Sequence, residues 1–217
     1  MPKYIRSTLM MTTLVSLLSG CQVVSVKNQS LNVTITNERE SILTRDKLSE
    51  ASLNVLSMTG REAKICSKQP EECVSELKQI PQIQDEQLLS TASELYLAKA
   101  LSLEKSSACK VNIWAKTQSE EKQALQKQNY QSCLDQQLGM LDKSIRYSYA
   151  YMFNTKRGPQ DRIFDNRQVQ LRDFYNQAIA KLVNSYGLRH GPAEVGNQIK
   201  VGQSIYRINY DNYPLLK

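Results

Sequence analysis

Apolar side chains recur at three- and four-residue intervals through most of residues 40–190, while stretches near the two ends of the chain alternate. The helical period is the signature of an element with one buried face. Leu43, Leu48, Ala51, Val55 and Met58 follow it, and Gly60 offers a C-terminal cap. In "DEQLLSTASELYLAKALSLEK" Leu88, Ala92, Leu95 and Ala98 or Ala100 share one predicted face, with Asp85 and Glu86 at the positive N-terminal end. A long helix is predicted from Ser119 to Phe153, with Leu134, Leu138, Leu141, Ile145 and Met152 on one stripe and Ser148 between them. The last helix carries Leu171, Phe174, Tyr175, Ala178, Ile179, Leu182 and Tyr186 on one face, and Gly187 is its predicted end.

Two stretches read differently. Val24, Val26, Leu31, Val33 and Ile35 alternate, which fits a short strand or an extended tether. "QIKVGQSIYRINYD" carries two β-rich runs around Gly202 and reads as a hairpin. A hairpin alone is marginal, so it must pack or pair elsewhere, and residues 31–36 are one candidate. In "IRYSYAYMF" strict alternation of Ile145, Tyr147, Tyr149, Tyr151 and Phe153 competes with the helical stripe running in from upstream. The helix is preferred, stopped by Lys156, Arg157, Gly158 and Pro159. Its tyrosines would then emerge on several faces. Either they form an aromatic ligand groove, or they are simply half-buried with their hydroxyls in water, the simpler expectation. The predicted fold class is mainly α: a helical bundle-like domain with a short N-terminal strand and a C-terminal β-hairpin. The division is 1–20, 21–36 (tether or strand), 37–190 (helices) and 191–217 (hairpin and tail).

The first segment has its own logic. Lys3 and Arg6 precede the apolar run "LMMTTLVSLL" and the small residues Ser19 and Gly20. That is a basic region, a short apolar region and a cleavage site. The run falls short of the roughly 20 apolar residues a membrane span needs. Leu18-Ser19-Gly20-Cys21 resembles the bacterial lipobox, in which the cysteine thiol takes up a diacylglyceryl group. The resemblance implies cleavage before Cys21, lipidation of Cys21 and acylation of the new amino terminus. Gln22 follows, not Asp, which in the sorting logic of such lipoproteins implies the outer membrane of a Gram-negative cell, on its periplasmic face.

That address changes how composition is read. The chain has 217 residues, 41% hydrophobic and 23% charged, enough for one domain with a real core. Its formal charge of +7 drops by two when Lys3 and Arg6 leave. A basic balance often points to nucleic acid, but a periplasmic chain meets none; anionic lipid or lipopolysaccharide headgroups are the available partners, and a solvated surface with excess Lys and Arg is the simpler expectation. Five cysteines become an even set once Cys21 is lipidated. Cys66, Cys73, Cys109 and Cys133 in an oxidising compartment favour disulfides. Three pairings exist; Cys66–Cys73 and Cys109–Cys133 close the local loops and are favoured, with Pro70 turning the chain inside "CSKQPEEC". A zinc site or a redox pair is the sharper alternative, but no CxxC occurs and no histidine lies nearby.

Catalytic chemistry finds little support. His190 is the single histidine and is expected in an exposed loop. Gly202-Gln203-Ser204-Ile205-Tyr206 lacks the second glycine of a nucleophile elbow. Glu71/Glu72 and Glu120/Glu121 read as solvated neighbours. Lys143, Arg146, Lys156, Arg157, Arg162, Arg167 and Arg172, interleaved with acids, read as a mixed salt-bridged surface. No catalytic residue, metal ligand set or cofactor motif is assigned.

"SGCQVVSVKNQSLNVTITNERESILTRDKLSEASLNVLSMTGREAKIC", with "DEQLLSTASELYLAKAL" and "LDKSIRYSYAYMF", resembles the N-terminal helical region of larger Gram-negative lipoproteins of the α/β-hydrolase (lipase or esterase) type. The resemblance covers nearly the whole chain but implies no catalytic serine within it. The expectation is therefore a non-catalytic, outer-membrane-anchored helical module that binds or scaffolds. The alternative is the leader of a hydrolase whose catalytic domain is missing, and a lipopolysaccharide or peptidoglycan contact protein is a third possibility.

Overall fold

The computed structural model describes residues 40–110 and 119–207. Cys21, the predicted strand at 31–36, Trp114 and the tail beyond 207 lie outside the described residues. Seven α-helices and one hairpin follow in order among the described residues: α1 (Ile42–Arg45), α2 (Glu50–Met58), α3 (Ala63–Lys68), α4 (Pro70–Leu77), α5 (Asp85–Lys105), α6 (Glu120–Phe153), α7 (Asn166–His190), β1 (Gln198–Val201) and β2 (Ser204–Arg207). The fold is mainly α, as the periodicity predicts.

The short helices are set by their caps. Ser41 begins α1 through a capping box with Thr44, and Asp46 at φ 58° ends it. Ser49 caps α2 by accepting from the Ser52 N–H. The stripe predicted for this region is therefore broken between Leu43 and Leu48. The face that α2 buries is Ser52, Val55 and Leu56; Ala51 and Met58 are exposed. Pro70 lacks an N–H, so it is placed without loss at the first position of α4, and it biases Gln69 away from helical geometry. That break joins Cys66 on α3 to Cys73 on α4, with Cα atoms 5.3 Å apart. In an unbroken helix residues seven apart would stand about 10 Å apart. Cys109, in a short turn after α5, is paired with Cys133 on α6 at a Cα separation of 5.5 Å.

Helix α5 is the axis of the domain. Residues 90–98 and Ala100 are all buried, so the helix is covered around its whole circumference and not on the single predicted face. Two apolar clusters meet it. Ala92, Leu95 and Tyr96 face Val55, Leu56, Val74, Leu77 and the Cys66–Cys73 bridge. Leu97, Ala98 and Ala100 face Leu138, Leu141 and Ile145 of α6 and Leu171, Phe174 and Leu182 of α7. The α6 stripe predicted from Leu134 to Met152, Ser148 included, is buried throughout. The tyrosine segment at its end is helical.

Helix α7 does not stop at Gly187. It continues to His190, and Gly191 at φ 103° ends it. Gly187 serves packing instead: a Cβ there would lie 3.3 Å from Val195 Cγ2, where the following turn folds back onto the helix. In the hairpin, β1 pairs antiparallel with β2, Val201 opposite Ser204, and Gly202 at φ 57° supplies the positive φ of the two-residue turn. The hairpin finds its support on the helices, burying Ile199 and Val201 in the core beside α6.

Candidate functional site

A groove of about 880 Å³ runs along α6 between the end of α4, α5, α7 and β2. Its α6 wall is a second helical stripe, Lys143, Arg146, Tyr147 and Ala150, continued by the C-cap residue Asn154, beside the one that enters the core. Five tyrosines line it: Tyr96 from α5, Tyr147 and Tyr149 from α6, Tyr175 from α7 and Tyr206 from β2. Tyr96 and Tyr147 stack, with centroids 5.6 Å apart and planes at 15°. Lys143 Nζ lies 5.2 Å above the Tyr96 ring and Lys78 Nζ 5.6 Å above that of Tyr147. These are cation–π distances. Lys143 is also paired with Glu71 at 2.8 Å. Tyr149 is half-exposed and tilts against Phe153 at 4.7 Å.

The hairpin closes the groove through one bond. The Tyr206 hydroxyl donates to Asp142 Oδ1 at 2.6 Å, and Arg146 stands 3.8 Å from the other oxygen of that carboxylate. Burial, then the bond to Asp142 and its charge, pushes the Tyr206 phenol well above its ordinary value of 10.0. Burial likewise raises Tyr96, helped by Tyr147 and Glu71, and raises Tyr175, helped by Tyr149. These phenols therefore remain protonated donors near neutral pH. The groove thus offers aromatic faces, phenol hydroxyls and three cations, of which Lys143 and Arg146 have carboxylate partners. That is equipment for holding a ligand by stacking and charge.

The basic run divides. Arg157 forms a bidentate pair with Glu86 at the surface, and that pair holds the Glu86 carboxyl below the usual 4.5. Arg162, expected on the same mixed surface, is interior, and Arg167 is mostly buried with its guanidinium turned inward. Arg162 is fully buried; its Nη2 donates to the carbonyls of Tyr151 (2.8 Å) and Met152 (3.2 Å) at the C-terminal end of α6. Its guanidinium lies 4.3 Å over the Tyr151 ring. Arg167 reaches Glu94, which has no solvent exposure. Glu94 Oε1 accepts from the Ser49 N–H at 2.8 Å and the Ile42 N–H at 3.3 Å. Its Oε2 accepts from the Ser49 hydroxyl at 2.5 Å, the Ser52 hydroxyl at 2.7 Å and Arg167 at 3.0 Å. Every contact of this carboxylate is internal, so the cluster locks α1 and α2 to α5 and α7. The interleaving of charges along the chain gave no sign of which arginines turn inward.

His190 is the last residue of α7, not part of a loop; it is exposed, with its ring 4.4 Å from Tyr186. Ser204 lies in the hairpin, on the rim of the groove. Glu71 and Glu72 are exposed, as are Glu120 and Glu121. Cys66, Cys73, Cys109 and Cys133 form the two bridges described above. Among the described residues no helix is long and apolar enough to cross a membrane, and no three His, Cys, Asp or Glu side chains cluster as metal ligands would. Comparison with protein-family models, with curated proteins and with solved structures returns no match.

Proposed function

We propose that the chain is a lipoprotein of the Gram-negative outer membrane, anchored through Cys21 on the periplasmic face, whose helical domain binds an envelope ligand in the tyrosine groove and does no chemistry on it. The anchor reading rests on Lys3, Arg6, the short apolar run and Leu18-Ser19-Gly20-Cys21, followed by Gln22. The binding reading is carried by the groove, where five tyrosines are interleaved with Lys78, Lys143 and Arg146. Such a surface suits an extended polymer with flat faces and anionic groups. The glycan strands of peptidoglycan and the phosphorylated sugars of lipopolysaccharide have that chemistry. Sedimentation of the lipidated protein with purified peptidoglycan, and separately with lipopolysaccharide, tests it against a Tyr149→Ser, Lys78→Ser variant. One lost stacking face and one lost cation weaken binding by about tenfold. Equal binding by the variant, or none by either protein, rejects the groove. Acyl labelling lost in Cys21→Ala, with the precursor accumulating, is the expected result for the anchor; labelling retained rejects it.

The resemblance of residues 19–66, 85–101 and 141–153 to lipase-type lipoproteins supports a second reading, the leader region of a hydrolase. Ester hydrolysis that disappears in His190→Ala would favour it over the binding module.

A further inference from the structure

The stretch "DRIFD" before α7 inverts the ordinary partition of side chains. Arginine is among the residues least often buried and phenylalanine among those most often buried. Here the Arg162 side chain has no exposure, while its neighbours Ile163 and Phe164 are 65% and 96% exposed. Phe153, the last residue of α6, adds a third apolar side chain at the same end of the α6–α7 pair, 56% exposed.

The exposed tip is braced. Arg162 is fastened to the carbonyls of Tyr151 and Met152. The Asp165 N–H donates to the Arg162 carbonyl at 2.8 Å, and Asp161 Oδ2 accepts from the Gly158 N–H at 2.8 Å. Gln168 Nε2 donates to the Pro159 carbonyl at 2.7 Å. The arginine thus occupies the interior place beside Tyr151 and holds the two apolar side chains outward.

We propose that Ile163 and Phe164 form a second membrane contact, inserting at the headgroup–acyl boundary of the bilayer that carries the anchor. This rests on the anchor reading in one respect: the chain from Cys21 to Ile42 reaches at most roughly 70 Å, which keeps the domain beside the lipid surface. A convex tip of two side chains suits a fluid bilayer. A stable protein interface needs about 800 Å² from each partner, and a tip of this size falls well short. Lys156, exposed at the same end and without an ion pair among the described residues, is available to lipid phosphate. Insertion here would give the domain a second point of contact with the bilayer.

The test places a tryptophan at the tip. The single native Trp114 is replaced (Trp114→Phe), and Phe164→Trp is introduced in the lipidated full chain. The protein is reconstituted in phosphatidylethanolamine/phosphatidylglycerol vesicles with bromine at shallow or deep acyl positions. A control chain carries Leu188→Trp near the far end of α7, and circular dichroism checks that each variant keeps its helices. Expected is blue-shifted emission from the tip indole, quenched several-fold by shallow bromine and shielded from iodide, while the control indole stays accessible to iodide. A tip indole left in water, or one quenched no more than the control, overturns the proposal. Acylation of Cys21 is read by mass on the same sample. An acylated chain with its tip indole in water sinks only the tip; an unacylated chain with its tip indole in lipid sinks only the anchor.

Discussion

Glu94 has a carboxylate cut off from water and satisfied entirely by its neighbours, so each of those neighbours depends on it. Two backbone N–H groups, two serine hydroxyls and the Arg167 guanidinium would lose a common acceptor if it were removed. Breaking a buried pair by deleting one partner costs about 3–5 kcal/mol, because the remaining charge is left uncompensated. Glu94→Ala is therefore expected to destabilise the domain by about that amount in urea unfolding. Adding Arg167→Met to Glu94→Ala should restore part of the loss, since the stranded cation goes with it. A double variant less stable than Glu94→Ala alone would show that Arg167 contributes independently of its partner. Arg162 is buried with a more distant carboxylate, Glu86 at 3.7 Å. It has carbonyl acceptors at a helix C-terminus, where a cation also meets the negative end of the helix dipole.

At the level of elements, α5 and α6 meet across a seam of small polar residues. Ser93 and Ser148 share a hydrogen bond at 2.6 Å, and the Ser144 hydroxyl donates to the Ser93 carbonyl at 3.0 Å. All three serines are buried, and their size lets the helix backbones approach closely. Ser93→Leu is expected to cost about 2–3 kcal/mol by overpacking that seam, and Ser148→Ala no more than about 1 kcal/mol by removing one bond. Equal losses in thermal melts would mean that the seam is held by its hydrogen bonds and not by its shape. The seam also shows where pattern reading succeeds and where it stops. On α6 the stripe from Leu134 to Met152 was legible because apolar residues mark the buried face and Ser148 falls in register. On α5 only Leu88, Ala92, Leu95 and the alanines were legible. Ser93 and Glu94 are buried against polar partners on other helices, Ser90 bonds back to the Gln87 carbonyl of its own helix, and the Thr91 hydroxyl is buried without a hydrogen-bond partner; hydrophobic periodicity carries no record of any of these. Gly187 reads as a stop because glycine commonly ends helices; the close approach of Val195 is a tertiary fact. Of the groove, the sequence offers only tyrosines on several faces of α6, with half-burial at the surface as the simpler expectation; the stripe Lys143, Arg146, Tyr147, Ala150 and Asn154 becomes a wall only in the fold. Its other walls come from Lys78, Tyr96, Tyr175 and Tyr206, which only the fold brings together.

For the whole molecule, tyrosine is the residue through which alkali acts on the fold. Tyr96, Tyr151, Tyr175 and Tyr206 all have phenols raised above 10.0, in each case chiefly by burial. They reach across the domain, from α5 through α6 and α7 to the hairpin. A raised phenol is neutral in the folded state at a pH where the unfolded chain already ionises. The unfolded state therefore binds fewer protons, and stability falls as pH rises. The contribution of these four side chains is complete below pH 10 and declines above it. Absorbance at 295 nm, followed together with helical circular dichroism, should show late-ionising phenols that titrate only as helix is lost, well above pH 10. Tyr206→Phe removes the phenol and its bond to Asp142, releasing the hairpin from α6 at that point. That variant is expected to be less stable at neutral pH and to lose stability less steeply in alkali. A native chain whose whole tyrosine titration finished near pH 10 with its helices intact would contradict the burial of Tyr96 and Tyr206. It would also remove the closed hairpin on which one wall of the groove depends.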